Sequence, residues 1–342
     1  MSGADPTTAG PGTGLLVGYG SIGRRHLANL HALGVEDWAI VHTGAGTVAF
    51  EPPGPARVYP TLDDALREEK LTFAVVANPT ALHRSTAQTC LRHGCHVLLE
   101  KPVSHTIEGL DDLTTALGAS DARLLTGFQF RFDAGLRRVD ELLGSGDLGT
   151  PLHARATWGE YLPDWHPWED WRTGYAARPE LGGGVHHTIC HPVDYLRMLF
   201  GEPVGVRGSL SAMHPLGLEV AEAADVSLRF DDGLSVELHL DYWRRPRQHR
   251  LDVTCTDGAL AWNYVAGRVA ACRATDGEWH TEDLGGLDAR DELFVAEARH
   301  FLDVVSGDDT PTCTLADGVA AVRIADAVER SSARGGAEIA LT

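Results

Sequence analysis

Of the 29 Lys and Arg residues in this 342-residue chain, only Lys70 and Lys101 are lysine. A guanidinium stays protonated in proteins, whereas a lysine amine can be tuned to exchange a proton. A lysine kept against an arginine background is therefore a candidate for chemistry. Lys70 closes the polar run Arg67-Glu68-Glu69-Lys70 and reads as a solvated charge at a helix end. Lys101, in Glu100-Lys101-Pro102 behind the apolar run His96 to Leu99, has no such explanation. A second candidate group lies in Gly182-Gly183-Gly184-Val185-His186-His187-Thr188-Ile189-Cys190-His191. Imidazoles titrate near neutrality and suit acid–base work. Val185, Ile189, Val193, Leu196 and Leu199 recur at helical spacing, which predicts one helix to about Phe200 with His187 and His191 on one face and His186 off it. Two core histidines satisfied by hydrogen bonds are the plainer alternative. A zinc site would need a third ligand. His166, Asp194 and Glu169 are available, but no spacing marks one out, so no metal is expected.

The elements that position Lys101 are legible. Leu15-Leu16-Val17 is a short apolar strand running into Gly18-Tyr19-Gly20-Ser21-Ile22-Gly23, and a helical pattern with Leu27, Leu30 and Leu33 follows. This is GxGxxG in a strand–turn–helix setting. The first Gly allows the tight turn, the second lets a pyrophosphate approach the backbone, and the third lets helix and strand pack closely. The helix N-terminus offers N–H donors to the anion. Strands at Trp38 to His42, Phe73 to Ala77, His96 to Leu99 and Leu124 to Phe128 alternate with helices at Leu62 to Glu69, Thr80 to His93 and Thr106 to Leu117. That alternation implies a doubly wound parallel sheet, an α/β Rossmann domain over 14–128. Ligands bind such sheets beyond the carboxyl ends of the strands, where Asn78-Pro79-Thr80 and Glu100-Lys101-Pro102 would face a cofactor. An NAD-specific site carries an acid after the second strand. Here Val41-His42-Thr43-Gly44 has none, so NAD or NADP is expected, with a lean to NADP. Arg24 or Arg25 could assist or be solvated.

The second half, 129–342, reads as α+β. Four tryptophans fall in the 14 residues from Trp158 to Trp171, in loop-like sequence. Indole rings stack on sugar faces, so Tyr161, Trp165, His166 and Arg172 are candidate substrate contacts; an oligomer contact is the alternative. Strands follow at Ala224 to Phe230, Leu234 to Tyr242, Arg250 to Thr256, Leu260 to Val265 and Arg268 to Arg273, with helices at Asp291 to Val305 and Leu315 to Ser331. Hairpin strands of this kind suit a sheet with one face on a helix and the other against a partner subunit.

Composition bounds the rest. Hydrophobic content of 43% with 23% charged residues describes a globular chain, and its length suggests two domains. A formal charge of −19 argues against nucleic acid and anionic membrane as partners. Residues 1–13 read as a flexible leader without signal-peptide features, no apolar run is long enough to span a bilayer, and the six scattered cysteines suit a reducing cytoplasm.

Assembled, the chain resembles the Gfo/Idh/MocA oxidoreductases. The fingerprint Gly18–Gly23, Asn78-Pro79-Thr80 with His83, Glu100-Lys101-Pro102 and the segment from Gly182 to Asp194 carry the likeness. It implies a second domain with an open, largely antiparallel sheet whose exposed face makes a homodimer or homotetramer. It also implies hydride transfer between NAD(P) and a hydroxyl or keto carbon of a sugar, inositol, amino sugar or nucleotide sugar. By that likeness Lys101 sits beside the nicotinamide and polarises the substrate oxygen, and His191 falls on the catalytic histidine. His187 stands where many members have Asp. A non-catalytic NAD(P)-binding regulator and a metal-dependent lyase or hydrolase using His187 and His191 are the competing readings.

Overall fold

The computed structural model describes residues 12–44, 49–165, 167 and 169–341. The chain forms two compact units: residues up to Ser104 with Glu108–Gly127 and Phe294–Ala316, and His105–Ile107 with Phe128–Leu293 and Asp317 onward.

In the first unit β1 (Gly14–Val17) feeds α1 (Ser21–Ala32), followed by β2 (Trp38–Val41), β3 (Ala56–Tyr59), α2 (Leu62–Glu68), β4 (Phe73–Val76), α3 (Thr80–Arg92), β5 (His96–Glu100), α4 (Leu110–Gly118) and β6 (Leu124–Gly127). Among the described residues the sheet has six parallel strands in the order β3-β2-β1-β4-β5-β6, the doubly wound arrangement. β1, β2, β4 and β6 are buried along their whole length, as continuous apolar strands covered on both faces should be.

β3 escaped the sequence reading. It follows Pro52-Pro53-Gly54-Pro55, pairs at the sheet edge, and Ala-Arg-Val-Tyr leaves its middle exposed, so no apolar run announces it. The helix expected from Thr106 starts at Leu110, because Gly109 takes a left-handed conformation at its N-cap. Of the expected leader, residues 1–11 lie outside the described residues. Thr13 is tied down: its hydroxyl donates to Asp37 at 2.6 Å and its carbonyl accepts the Thr72 N–H at 2.9 Å. Phe294–Ala316 comes from the stretch assigned to the second domain on sequence, yet it completes the first unit. Phe301 meets Phe73 edge-on at 5.4 Å, and Thr126 donates its N–H to Cys313 O and its hydroxyl to Thr314 O, both at 2.9 Å.

The second unit opens with α5 (Ala134–Gly144) and β7 (Pro151–Gly159), then α6 (Val185–Thr188) and α7 (His191–Phe200). β8 (Gly205–Leu210), β9 (Ala223–Arg229), β10 (Ser235–Asp241), β11 (Gln248–Cys255), β12 (Gly258–Asn263), β13 (Arg268–Arg273) and β14 (Trp279–Asp283) follow. α8 (Arg290–Ser306), most of which belongs to the first unit, and α9 (Leu315–Ala333) precede the last strand, β15 (Ile339–Ala340). Among the described residues this sheet has nine strands, β14-β13-β12-β11-β7-β10-β9-β8-β15. All its pairs are antiparallel except β7 with β10. Burial alternates along β9, β10 and β11, so the sheet has an inner and an outer face.

The single helix expected from Val185 to Phe200 is two helices. Pro192 has no N–H to give the Thr188 carbonyl, so one helix cannot run through, and the chain restarts with proline in the first turn of α7. His187 and His191 therefore do not share one helical face.

Candidate functional site

The glycine-rich turn is explained position by position. Gly18 has φ +101°, and a Cβ there would lie 2.4 Å from the Asn78 nitrogen. A Cβ at Gly23 would lie 2.0 Å from the Gly18 carbonyl oxygen. Both places require the absence of a side chain. At Gly20 the reverse holds: φ is an ordinary −85°, and a Cβ would meet nothing within 4 Å. Gly20 is also the N-cap of α1, with no side-chain cap and no acid in the first turn. Uncapped N–H groups facing open space are what an anionic pyrophosphate fits. Tyr19 is buried and His42 packs against Phe50 (centroids 4.5 Å) and edge-on to Tyr19 (6.0 Å), so His42 closes the end of β2. Thr43 beside it is exposed, and residues 45–48 lie outside the described residues. Arg25 stacks over Phe294 at 4.8 Å.

The loops after the adjacent strands β1, β4 and β5 are laced together. His83, 3% exposed on α3, reaches Pro102 O with Nδ1 and Asn78 O with Nε2, both at 2.7 Å. Burial pulls the His83 imidazole below its ordinary pKa, against both carbonyls. A neutral ring donates to one of them at a time. His83, expected at the cofactor, is thus a clasp between loops. Asn78 Nδ2 donates to Thr86 at 2.9 Å, and Thr80 is buried in the first turn of α3 behind Pro79.

Glu100 is likewise turned inward. Its carboxylate meets His26 Nε2 at 2.6 Å and accepts the Lys101 N–H at 3.1 Å. Burial pushes this carboxyl up, but the His26 bond and the neighbouring cations hold it below its ordinary pKa. Lys101 is half-buried on this anchor. Behind it lies Glu297, fully buried and without a hydrogen-bond partner for either oxygen. Burial, then the Glu100 charge, keep Glu297 neutral far above its ordinary range.

In the second unit His191 opens α7 and is 3% exposed. Its ring stacks on Trp158 (5.5 Å, 18°) and meets Phe128 and Phe130 edge-on at 5.6 and 5.1 Å. Trp158, expected in a loop, is on β7 and also stacks on His249 at 3.9 Å. Burial drives the His249 imidazole well below its ordinary pKa. Arg131 grips Asp194 through two bonds of 2.9 and 2.6 Å, joining the turn that carries Phe130 to α7. Asp194, weighed as a metal ligand, is therefore committed to Arg131. Burial still holds its carboxyl above the usual range. Nothing local signals this pair, which is 63 residues apart.

His187 does not stand alone. His186, expected off its face, lies beside it with ring centroids 4.1 Å apart, and both Nε2 atoms meet Glu329 Oε1, at 2.8 and 3.0 Å. Burial and then His186 lower the His187 pKa, while the two imidazoles hold the Glu329 carboxyl far below its usual range. Glu329 lies 142 residues beyond His187, and no sequence spacing could have found it. Among the expected substrate contacts, Tyr161 carries the Arg245 guanidinium over its ring at 3.7 Å. Trp165 meets Tyr242 edge-on at 5.7 Å, and exposed Arg172 stacks on Trp171 at 4.4 Å. His166 and Trp168 lie outside the described residues. No helix among the described residues is long and apolar enough to cross a membrane.

Two domain profiles of one family match the chain: the oxidoreductase family's NAD-binding Rossmann fold over residues 14–128, and the GFO/IDH/MocA C-terminal domain over 136–261. The chain belongs to the Gfo/Idh/MocA oxidoreductase family. It is therefore an oxidoreductase of a dinucleotide-binding class, as its motifs led one to expect. Among its relatives, the 1,5-anhydro-D-fructose reductase of Ensifer adhaerens is 25% identical over 325 residues, 94% of this chain and 96% of that protein. A D-xylose 1-dehydrogenase (NADP(+)) of Haloferax volcanii is 25% identical over 299 residues, covering 86% and 87%. Among solved Gfo/Idh/MocA-like folds, levoglucosan dehydrogenase in complex with NADH and levoglucosan superposes with a TM-score of 0.83 at 19% identity, over 96% of this chain and 98% of that one.

Proposed function

We propose that this protein is an NAD(P)-dependent dehydrogenase or keto-reductase acting on a hydroxyl or keto carbon of a carbohydrate. The observation that carries this reading is the lacing of three loops in the first unit. The phosphate cradle at Gly20, the Asn78 loop and the Lys101 loop follow neighbouring strands and are fixed to one another through Gly18 and His83. Bound there, a nicotinamide supplies the hydride acceptor or donor. Lys101, held by Glu100 and His26, places an ammonium on the substrate oxygen and exchanges its proton. To His191, held by Trp158, Phe128 and Phe130, we assign an acid or base role. His187, steadied by Glu329, lines the substrate side with Tyr161, Trp165, His166 and Arg172. We assign 14–128, completed by Phe294–Ala316, to dinucleotide binding and the rest of 129–342 to substrate binding and self-association through the outer sheet face. The described cysteines are all free, which fits the reducing cytoplasm we assign. The anhydrosugar reductase and xylose dehydrogenase relatives support a carbohydrate substrate. The exposed Thr43, where an acid would exclude a 2′-phosphate, supports acceptance of NADP.

The test is a spectrophotometric screen of polyols, aldoses, anhydrosugars and keto-sugars with each cofactor, following nicotinamide absorbance, on wild type, Lys101→Ala and His191→Ala. Lys101→Ala is expected to lose at least a hundredfold in kcat, in line with general acid–base contributions of about 10²–10⁴, while binding NAD(P)H normally. His191→Ala is expected to change the pH profile. Wild-type turnover by Lys101→Ala would overturn the assignment. Cofactor binding without turnover across the panel would point to a regulator.

A further inference from the structure

We propose that His186, His187 and Glu329 form a binding site for a divalent cation of the zinc class, with two imidazole nitrogens and one carboxylate oxygen as ligands and the remaining coordination open to water or a ligand oxygen. The site is built within the second unit and does not rest on the dehydrogenase reading. Three observations carry it. The first is convergence: two neighbouring rings aim Nε2 at a single carboxylate oxygen, at 2.8 and 3.0 Å. Ligands about 2.0–2.1 Å from a tetrahedral metal lie roughly 3.3 Å apart, so each Nε2–Oε1 separation need widen by only about half an ångström to admit an ion, and the three ligand atoms lie within 4.8 Å of one another. The second is donor chemistry. Two imidazoles and a carboxylate are a borderline set that suits zinc and leaves an open position. Among the described residues, no other group of three or more His, Cys, Asp or Glu converges in this way. The third is access. Both imidazoles are 8% exposed whereas the Glu329 side chain is 48% exposed, so the rings wall the site and the carboxylate is its door.

One feature sets the strength. Neither Nδ1 has a hydrogen-bond partner, and loss of such outer partners weakens metal sites by about 10–100-fold. Affinity should therefore fall below that of a fully supported zinc site.

The experiment uses the full-length, tag-free protein treated with chelator and desalted. Co²⁺ is titrated by visible absorption and Zn²⁺ by calorimetry, with His186→Gln and Glu329→Gln alongside. One Co²⁺ per chain with d–d absorption is expected in wild type, weakened at least tenfold in each variant. Histidine ¹⁵N spectra of wild type supply a readout that needs no variant: Zn²⁺ should shift two Nε2 resonances together. Absence of stoichiometric Co²⁺ binding, wild-type affinity in both folded variants, or unmoved imidazole nitrogens would overturn the site. Because the readout is metal binding, it stands or falls apart from any turnover measurement.

Discussion

Gly20→Ala separates the role of this glycine from that of its neighbours. A Cβ at Gly20 meets no atom within 4 Å, and the backbone there has φ −85°, which alanine adopts freely. Removing glycine's freedom from the unfolded chain stabilises by about 0.4–1 kcal/mol. Alanine is a poorer N-cap than glycine by a comparable amount, roughly 0.5–1 kcal/mol. The two offset, and the cofactor-free variant should unfold within about 1 kcal/mol of wild type. Yet in the proposed cofactor site the new methyl stands where the backbone would meet a pyrophosphate. A loss of about 1.4 kcal/mol, or tenfold in affinity, is the least expected when a phosphate is held off the α1 N–H groups. The assay pairs urea unfolding with titration of NADPH fluorescence. Gly18→Ala is the control: its Cβ would lie 2.4 Å from the Asn78 nitrogen at φ +101°, so stability itself should drop. Unchanged nucleotide affinity in Gly20→Ala, or a stability loss equal to that of Gly18→Ala, would refute the reasoning.

Other consequences can be measured alongside. Glu297 has a folded pKa raised above the ordinary 4.5, so its contribution to stability is full below pH 4.5 and falls as pH rises from there. Glu297→Gln should flatten that slope, which urea midpoints across pH will show. Arg131→Ala removes two hydrogen bonds from the Asp194 carboxylate, which is 1% exposed, and should destabilise by about 3 kcal/mol in urea unfolding. Thr43→Asp should move the ratio of kcat/KM toward NAD by repelling a 2′-phosphate, and an unchanged ratio would remove Thr43 from the ribose site.

What could be read from residues alone was whatever is encoded locally. The turn from Gly18 to Gly23 announces itself because close packing and positive φ admit only glycine, and β1, β4 and β5 because double burial demands apolar runs. Lys101 stood out through composition. What escaped depends on partners far along the chain: Arg131 for Asp194, Glu329 for His187, and the aromatic setting of His191. Local pattern also misled where one residue outweighed a period. Apolar spacing ran on through Pro192, but the missing N–H divided the helix and cancelled the shared face of His187 and His191. Trp158 looked like loop because tryptophans cluster after it, although its own alternation belongs to β7.

The return of Phe294–Ala316 to the first unit bears on how this chain comes into being. A ribosome that has released only 14–128 has released every strand of the parallel sheet but not the cover for Phe73 or the carbonyls that receive Thr126. Until nearly the whole polypeptide has emerged, Thr126 on β6 keeps an unmet amide and Phe73 on β4 lacks the ring of Phe301. Excising the nucleotide lobe as a contiguous fragment should accordingly yield a sticky, easily cleaved product, whereas grafting 294–316 onto it through a linker should restore solubility.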